Sequence, residues 1–135
     1  TTYPSHMFRQ RGHDGGLPFV RRRPTINPIL PVDHLARATD FYERLGFEAT
    51  AYDEGYAWIT HCGWEWVHLR RVESVAGNHA SAYLHVDDAD AWRRSMLASS
   101  DGAIEITEAA DMPWMKREFS FTDPSGNLVR VGSPL

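Results

Sequence analysis

Two stretches of this chain gather flat rings and carboxylates. In the first, Tyr56, Trp58, Trp64, Glu65, Trp66 and His68 follow one another closely. In the second, Tyr83 and His85 alternate, and further on comes Pro113-Trp114-Met115-Lys116-Arg117-Glu118. Aromatic faces stack on planar guests and attract cations, and carboxylates pair with a cationic tail. A different chemistry is open to Glu65, His68 and His85, because a catalytic metal wants about three oxygen or imidazole ligands and an open position. Other mechanisms have little to work with. The sequence has no glycine-rich phosphate loop, no CxxC pair and no Gly-x-Ser-x-Gly elbow. Cys62 sits beside Gly63 without neighbours that would activate a thiol.

Many of these side chains have a plainer role open to them. Trp92 falls on a helical stripe and reads as core. Trp64 and Trp66 alternate around Glu65, so they share a face that either packs under a helix or meets a ligand. His34 belongs to a first helical turn exposed to solvent, and His61 and His79 flank turns at the surface. Asp123 organises its own turn. Arg117 and Glu118 either pair across a sheet or touch a ligand.

The elements that must position these residues follow from periodicity. Ile26 to Val32 is apolar and extended, and Pro28 and Pro31 restrict it to an edge or a bulged strand. Asp33 can cap a helix carrying Leu35, Ala38, Phe41, Tyr42 and Leu45 at three- and four-residue spacing, with Gly46 at its end. Strands are expected at Phe47–Tyr52, Tyr56–Thr60 and Trp64–Arg70, joined by hairpin-type turns. The order then repeats. Ser81–Val86 is a strand, and Asp87 or Asp88 caps a helix striped by Ala89, Trp92, Arg93, Met96 and Leu97. Ile104–Thr107, Trp114–Phe121 and Asn127–Val131 close the set. Asp123-Pro124-Ser125-Gly126 has type I turn chemistry. The expected class is α+β, with two βαβββ units at about 25–71 and 80–132 in a single domain over 25–135, whose sheets form a concave cleft.

Composition sets the outer bounds. The chain has 135 residues, 42% hydrophobic and 24% charged, which suits one globular domain with its own core. A net charge of -4 argues against nucleic acid or an anionic membrane as partner and suits a cationic ligand. Met7 to Arg23 is basic and reads as a mobile arm, but Arg21-Arg22-Arg23 falls well short of a nucleic-acid face. Thr1 to His6 reads as a vector-derived remnant. One cysteine, no signal-peptide core and no membrane-length apolar run lead to the expectation of a cytoplasmic protein.

On two segments, PILPVDHLARATDFYERLGFE and PWMKREFSFTDPSGNLVRVG, the chain resembles the glyoxalase/bleomycin resistance protein/dioxygenase (vicinal oxygen chelate) superfamily, and within it the bleomycin-resistance proteins. The likeness runs from about Ile26 to Gly132. Superfamily enzymes hold a divalent metal with His and Glu. The matching positions here are Asn27, Ser81 and Arg130, with Glu65 or His68 near the fourth, a set that implies no metal and no other cofactor. The resistance proteins are homodimers that bind drug in a groove between subunits. Their drug is a glycopeptide with a flat bithiazole and a cationic tail. The resemblance places the bithiazole between Trp114 and Tyr56. By their own chemistry Tyr83 and His85, which share a strand face, can line the same groove with Trp66, Glu118 or Glu65 can face the tail, and Arg117 is a further candidate contact. The resemblance implies a binding protein that confers resistance by sequestration and is not an enzyme. Two alternatives stand beside it: a metal-dependent enzyme using Glu65, His68 and His85, and a binder of another small molecule on the same fold.

Overall fold

A computed structural model describes residues 25–135; the expected remnant at 1–6 and the arm at 7–24 lie outside the described residues. The elements run β1 (Ile29–Val32), α1 (Leu35–Arg44), β2 (Glu48–Asp53), β3 (Tyr56–His61), β4 (Trp64–Arg71), β5 (Ser81–His85), α2 (Ala89–Ser99), β6 (Ala110–Met112), β7 (Lys116–Thr122) and β8 (Leu128–Pro134). They form two four-stranded sheets, ordered β1-β4-β3-β2 and β5-β8-β7-β6. In each sheet the first strand pairs parallel to the last, and the other neighbours are antiparallel. This is the expected βαβββ unit, twice. No helix among the described residues is long and apolar enough to cross a membrane.

Local chemistry explains most boundaries. β1 is an edge strand, as its prolines require, and starts at Ile29 rather than Ile26. Pro28 has no N–H to give, yet its carbonyl accepts from His68 N at 2.9 Å. α1 buries Leu35, Ala38 and Tyr42 along one stripe. Gly46, at φ +107°, lets the chain turn out of the helix. Asp33 does not cap α1. The capping position is His34, without a side-chain bond, while the Asp33 carboxylate accepts from Ser125 Oγ and Arg37. In α2, Asp88 is the cap, accepting from Ala91 N at 3.1 Å.

Two expected strands are displaced. Ile104–Thr107 is not a strand, although Thr107 N donates to Ser120 O and Ser120 N donates to Thr107 Oγ1; regular pairing to β7 comes later, at β6. β7 begins at Lys116, which leaves Trp114 in the preceding turn.

The inner faces of both sheets share one core. Val32, Ala57, Ile59 and Leu69 from the first unit are buried with Phe119, Phe121 and Val131 from the second. Polar ties cross between the units: Tyr42 Oη donates to Asp123 Oδ2 at 2.8 Å, and Asn127 Nδ2 donates to Pro31 O at 2.8 Å. The turn at Asp123 forms as its residue types require, with Gly126 N donating to Asp123 O at 3.0 Å.

Candidate functional site

The outer face of the first sheet carries Tyr56 and Trp58 on β3 and His68 on β4, with Trp58 and His68 directly opposite in register. Tyr56 Oη and His68 Nδ1 are 2.7 Å apart, and His68 Nε2 is 2.7 Å from Glu65 Oε1. A carboxylate only accepts, so the Nε2–H of His68 donates to Glu65. Tyr52 joins the group, its ring centroid 5.9 Å from that of Trp58. A bulge makes the Glu65–His68 contact possible. In a regular strand, residues three apart point to opposite faces. Here Ile59 pairs with Val67 but Thr60 pairs with Glu65, so Trp66 is the extra residue and Glu65 is carried to the His68 side.

Trp64, opposite His61 in register, and Trp66, whose ring centroid is 6.5 Å from that of His61, both lie on the side away from Glu65. Trp64 is exposed, whereas Trp66 packs inward, 5.8 Å from the ring of Trp92, with its Nε1 buried and unpartnered among the described residues. Trp92 itself packs against the core, as its stripe position suggested.

The outer face of the second sheet carries Tyr83 and His85 on β5, Glu118 on β7, and Arg130 and Gly132 on β8. The rings of Tyr83 and His85 lie 4.6 Å apart. Tyr83 Oη donates to Glu118 Oε1 at 2.7 Å, and Trp114 Nε1 donates to the same oxygen at 2.5 Å. Arg130 Nη1 stands 3.9 Å from Glu118 Oε2. Desolvation first, then the hydrogen bond and charge of Glu118, push the Tyr83 hydroxyl up to about 12. Gly132 makes room for this: a Cβ there would stand 1.9 Å from the Tyr83 oxygen. Glu118 is only 6% exposed, so its carboxylate is turned to Trp114 and Tyr83 and not to solvent.

Arg117 points the other way, as its neighbour position on a strand dictates. Its guanidinium binds Asp90 of α2 and Asp111 of β6, and those hydrogen bonds raise its pKa further. The structure thus brings Trp114, Tyr83, His85 and Glu118 together, and sets Tyr56 with His68 and Glu65 on the other sheet. It places Trp66 and Arg117 in neither group. Tyr83, His85, Glu65 and Trp66 do line one cleft of about 290 Å³ near Asn27 and Pro28. Gly132 and the bulge at Trp66 shape these two side-chain groups, and sequence reasoning missed both. Gly132 falls one residue past the expected strand Asn127–Val131, so no glycine inside a strand marked it.

The superfamily's metal positions can be tested on donor chemistry. Asn27 Nδ2 donates to the carbonyls of Glu65 and Trp66, at 3.0 and 3.2 Å, so its amide is committed to the backbone. Ser81 is neutral and exposed, and Arg130 brings a positive charge to the final strand. Both ring nitrogens of His68 are engaged. His85 lies on the other sheet, and among the described residues no three His, Cys, Asp or Glu side chains are grouped to hold an ion. These residues do not fit the family's metal.

Comparison with known proteins shows the same fold elsewhere. The chain is similar to a bleomycin resistance determinant encoded on transposon Tn5, at 22% identity and TM-score 0.71, covering 83% of this chain and 98% of that one. It is similar to the bleomycin-binding protein from Streptomyces verticillus complexed with copper(II)-bleomycin, at 24% identity and TM-score 0.69, over 86% and 100% of the two chains. It is also similar to a glyoxalase-related enzyme from Clostridium phytofermentans, at 16% identity and TM-score 0.68, over 86% and 100%. No curated protein matches the sequence. The family model for the Glyoxalase/Bleomycin resistance protein/Dioxygenase superfamily matches residues 25–131, and the chain belongs to that superfamily.

Proposed function

We propose that this protein sequesters a bleomycin-type glycopeptide drug, without a metal of its own and without turnover, in an aromatic cleft closed between two copies of the chain. The observation that carries this reading is the pair of outer faces. One presents Tyr56 and Trp58, the other Trp114, Tyr83 and His85, and among the described residues no ring contact joins them. Both sheets turn their apolar faces to one shared core, so neither aromatic face has a stacking partner within its own unit. A flat bithiazole needs two walls. A second copy supplies the missing one if the first unit of each chain meets the second unit of the other. Solved relatives described as binding or resisting bleomycin support the choice of guest.

Glu65, with its side chain 48% exposed, is the carboxylate available to a cationic tail, since Glu118 is buried. The exposed free Cys62 suits a reducing, cytoplasmic setting. Sequestration needs only affinity: a nanomolar complex corresponds to about -12 kcal/mol.

Mixed dimers test the arrangement. Tyr56→Ala and Trp114→Ala homodimers each carry one damaged wall in both sites and should bind drug weakly. A mixed dimer of the two contains one site with both lesions and one intact site, so it should bind half the wild-type amount of drug at wild-type affinity. Uniformly weak binding in the mixed dimer would refute a shared cleft.

A further inference from the structure

We propose that Glu118 is the positioning residue of the ligand cleft, fixing the Trp114 ring in its stacking orientation before any drug arrives. The inference rests on the binding function proposed above. Trp114 lies in a turn and is 51% exposed, between Pro113 and Met115, which adopts φ +67°. An exposed ring on a turn has several rotamers open to it. The indole gives up that freedom only where its one donor, Nε1–H, is held, and here the acceptor is Glu118 Oε1.

The acceptor is itself over-determined. Glu118 sits within β7, paired opposite Gly132 on β8 and Ala110 on β6. Its Oε1 also accepts from Tyr83, and Arg130 stands beside Oε2. Tyr83 reaches that oxygen because residue 132 has no side chain. The carboxylate is thus fastened by a strand, a second donor and a nearby cation, and it transmits that rigidity to a ring that has none of its own. A wall ordered in advance spares the ligand the cost of ordering it, and so raises affinity without adding a contact. A charge-assisted hydrogen bond of this kind is strong enough to matter by roughly tenfold or more in affinity.

The test follows the Trp114 indole N–H signal by NMR in the full chain, assigned by its loss in Trp114→Phe, alongside binding of metal-free bleomycin. In the free protein the signal should lie downfield and exchange slowly with solvent. Glu118→Ala should move it to the position of a free indole and weaken drug binding roughly tenfold or more. Glu118→Gln, which keeps an amide oxygen as acceptor, should restore much of both. Tyr83→Phe removes the second donor that fastens Oε1, so it tests the clamp should Glu118→Ala fail to fold; its indole signal should move part of the way towards the free position, and an unmoved signal would contradict the clamp. An indole signal at the free position in the wild type, or one unmoved by Glu118→Ala, overturns the proposal. So does wild-type affinity in a folded Glu118→Ala. Should the wild type not bind bleomycin at all, the proposed guest fails, while the clamp is still decided by the indole signal.

Discussion

Tyr42 donates its hydroxyl to Asp123 Oδ2 at 2.8 Å, from the helix of the first unit to the turn before the last strand of the second. Asp123 meanwhile accepts from Ser125 N, Asn127 N and Asn127 Nδ2, so one buried carboxylate organises a turn and ties the two units together. Removing one donor leaves a buried acceptor short of a partner. Tyr42→Phe should therefore lower stability by about 1–3 kcal/mol in denaturant unfolding, with the fold retained.

The same bond gives stability a pH dependence. Burial and the Asp123 charge hold the Tyr42 hydroxyl well above its ordinary value near 10, and Tyr83 is pushed up to about 12. Both groups bind their proton more tightly when folded than when unfolded. Their contribution is therefore complete below about pH 10 and is lost as pH rises beyond it. Unfolding midpoints should fall above pH 10, and Tyr42→Phe should fall less steeply than the wild type. Parallel slopes would contradict the assignment.

Gly132→Ala tests the space beneath Tyr83. The new Cβ would overlap the Tyr83 oxygen, the far end of a side chain that can swing away. The strands should survive at a cost of about 1–3 kcal/mol, but the Tyr83–Glu118 bond should be lost. Tyrosinate absorbance should then show one hydroxyl moving down from about 12 towards its ordinary value.

Arg117 separates structural from ligand roles. Its guanidinium joins Asp90 to Asp111, away from both aromatic faces. Arg117→Ala should lower the unfolding midpoint and leave drug affinity at the wild-type value. A large loss of affinity without a loss of stability would return Arg117 to the binding site.

Metal content bears on the enzymatic alternative. The donors at the superfamily positions are an amide tied to the backbone, a serine hydroxyl and a guanidinium. Protein dialysed against divalent ions and then against buffer should hold far less than one equivalent by elemental analysis. Near-stoichiometric metal would contradict the metal-free reading and reopen the set Glu65, His68 and His85.

Much of the fold was legible because its signals are local. The helix stripes, the Asp88 cap, the hairpins and the Asp123–Gly126 turn each follow from a few neighbouring residue types. What escaped depends on pairing. Ile104–Thr107 is apolar and branched like a strand, yet β7 finds its regular partner at Ala110–Met112. The bulge at Trp66 is invisible without the register of β3 against β4, and it separates Trp66 from His68 and unites Glu65 with His68. Asp33 has a capping side chain, but Ser125, distant in sequence, competes for it. Trp114, Tyr83 and Glu118 were each singled out from the sequence, though the burial of Glu118 beneath Tyr83 required knowing that Gly132 lies across from it.

The most direct measurement is a tryptophan-fluorescence titration of EDTA-treated protein with metal-free bleomycin, run beside the Trp114→Ala variant. Saturable quenching at submicromolar drug, near one drug per chain and strongly weakened by the substitution, is the predicted result. A flat response at high micromolar drug would contradict drug sequestration, and equal affinity in Trp114→Ala would contradict the stacking wall.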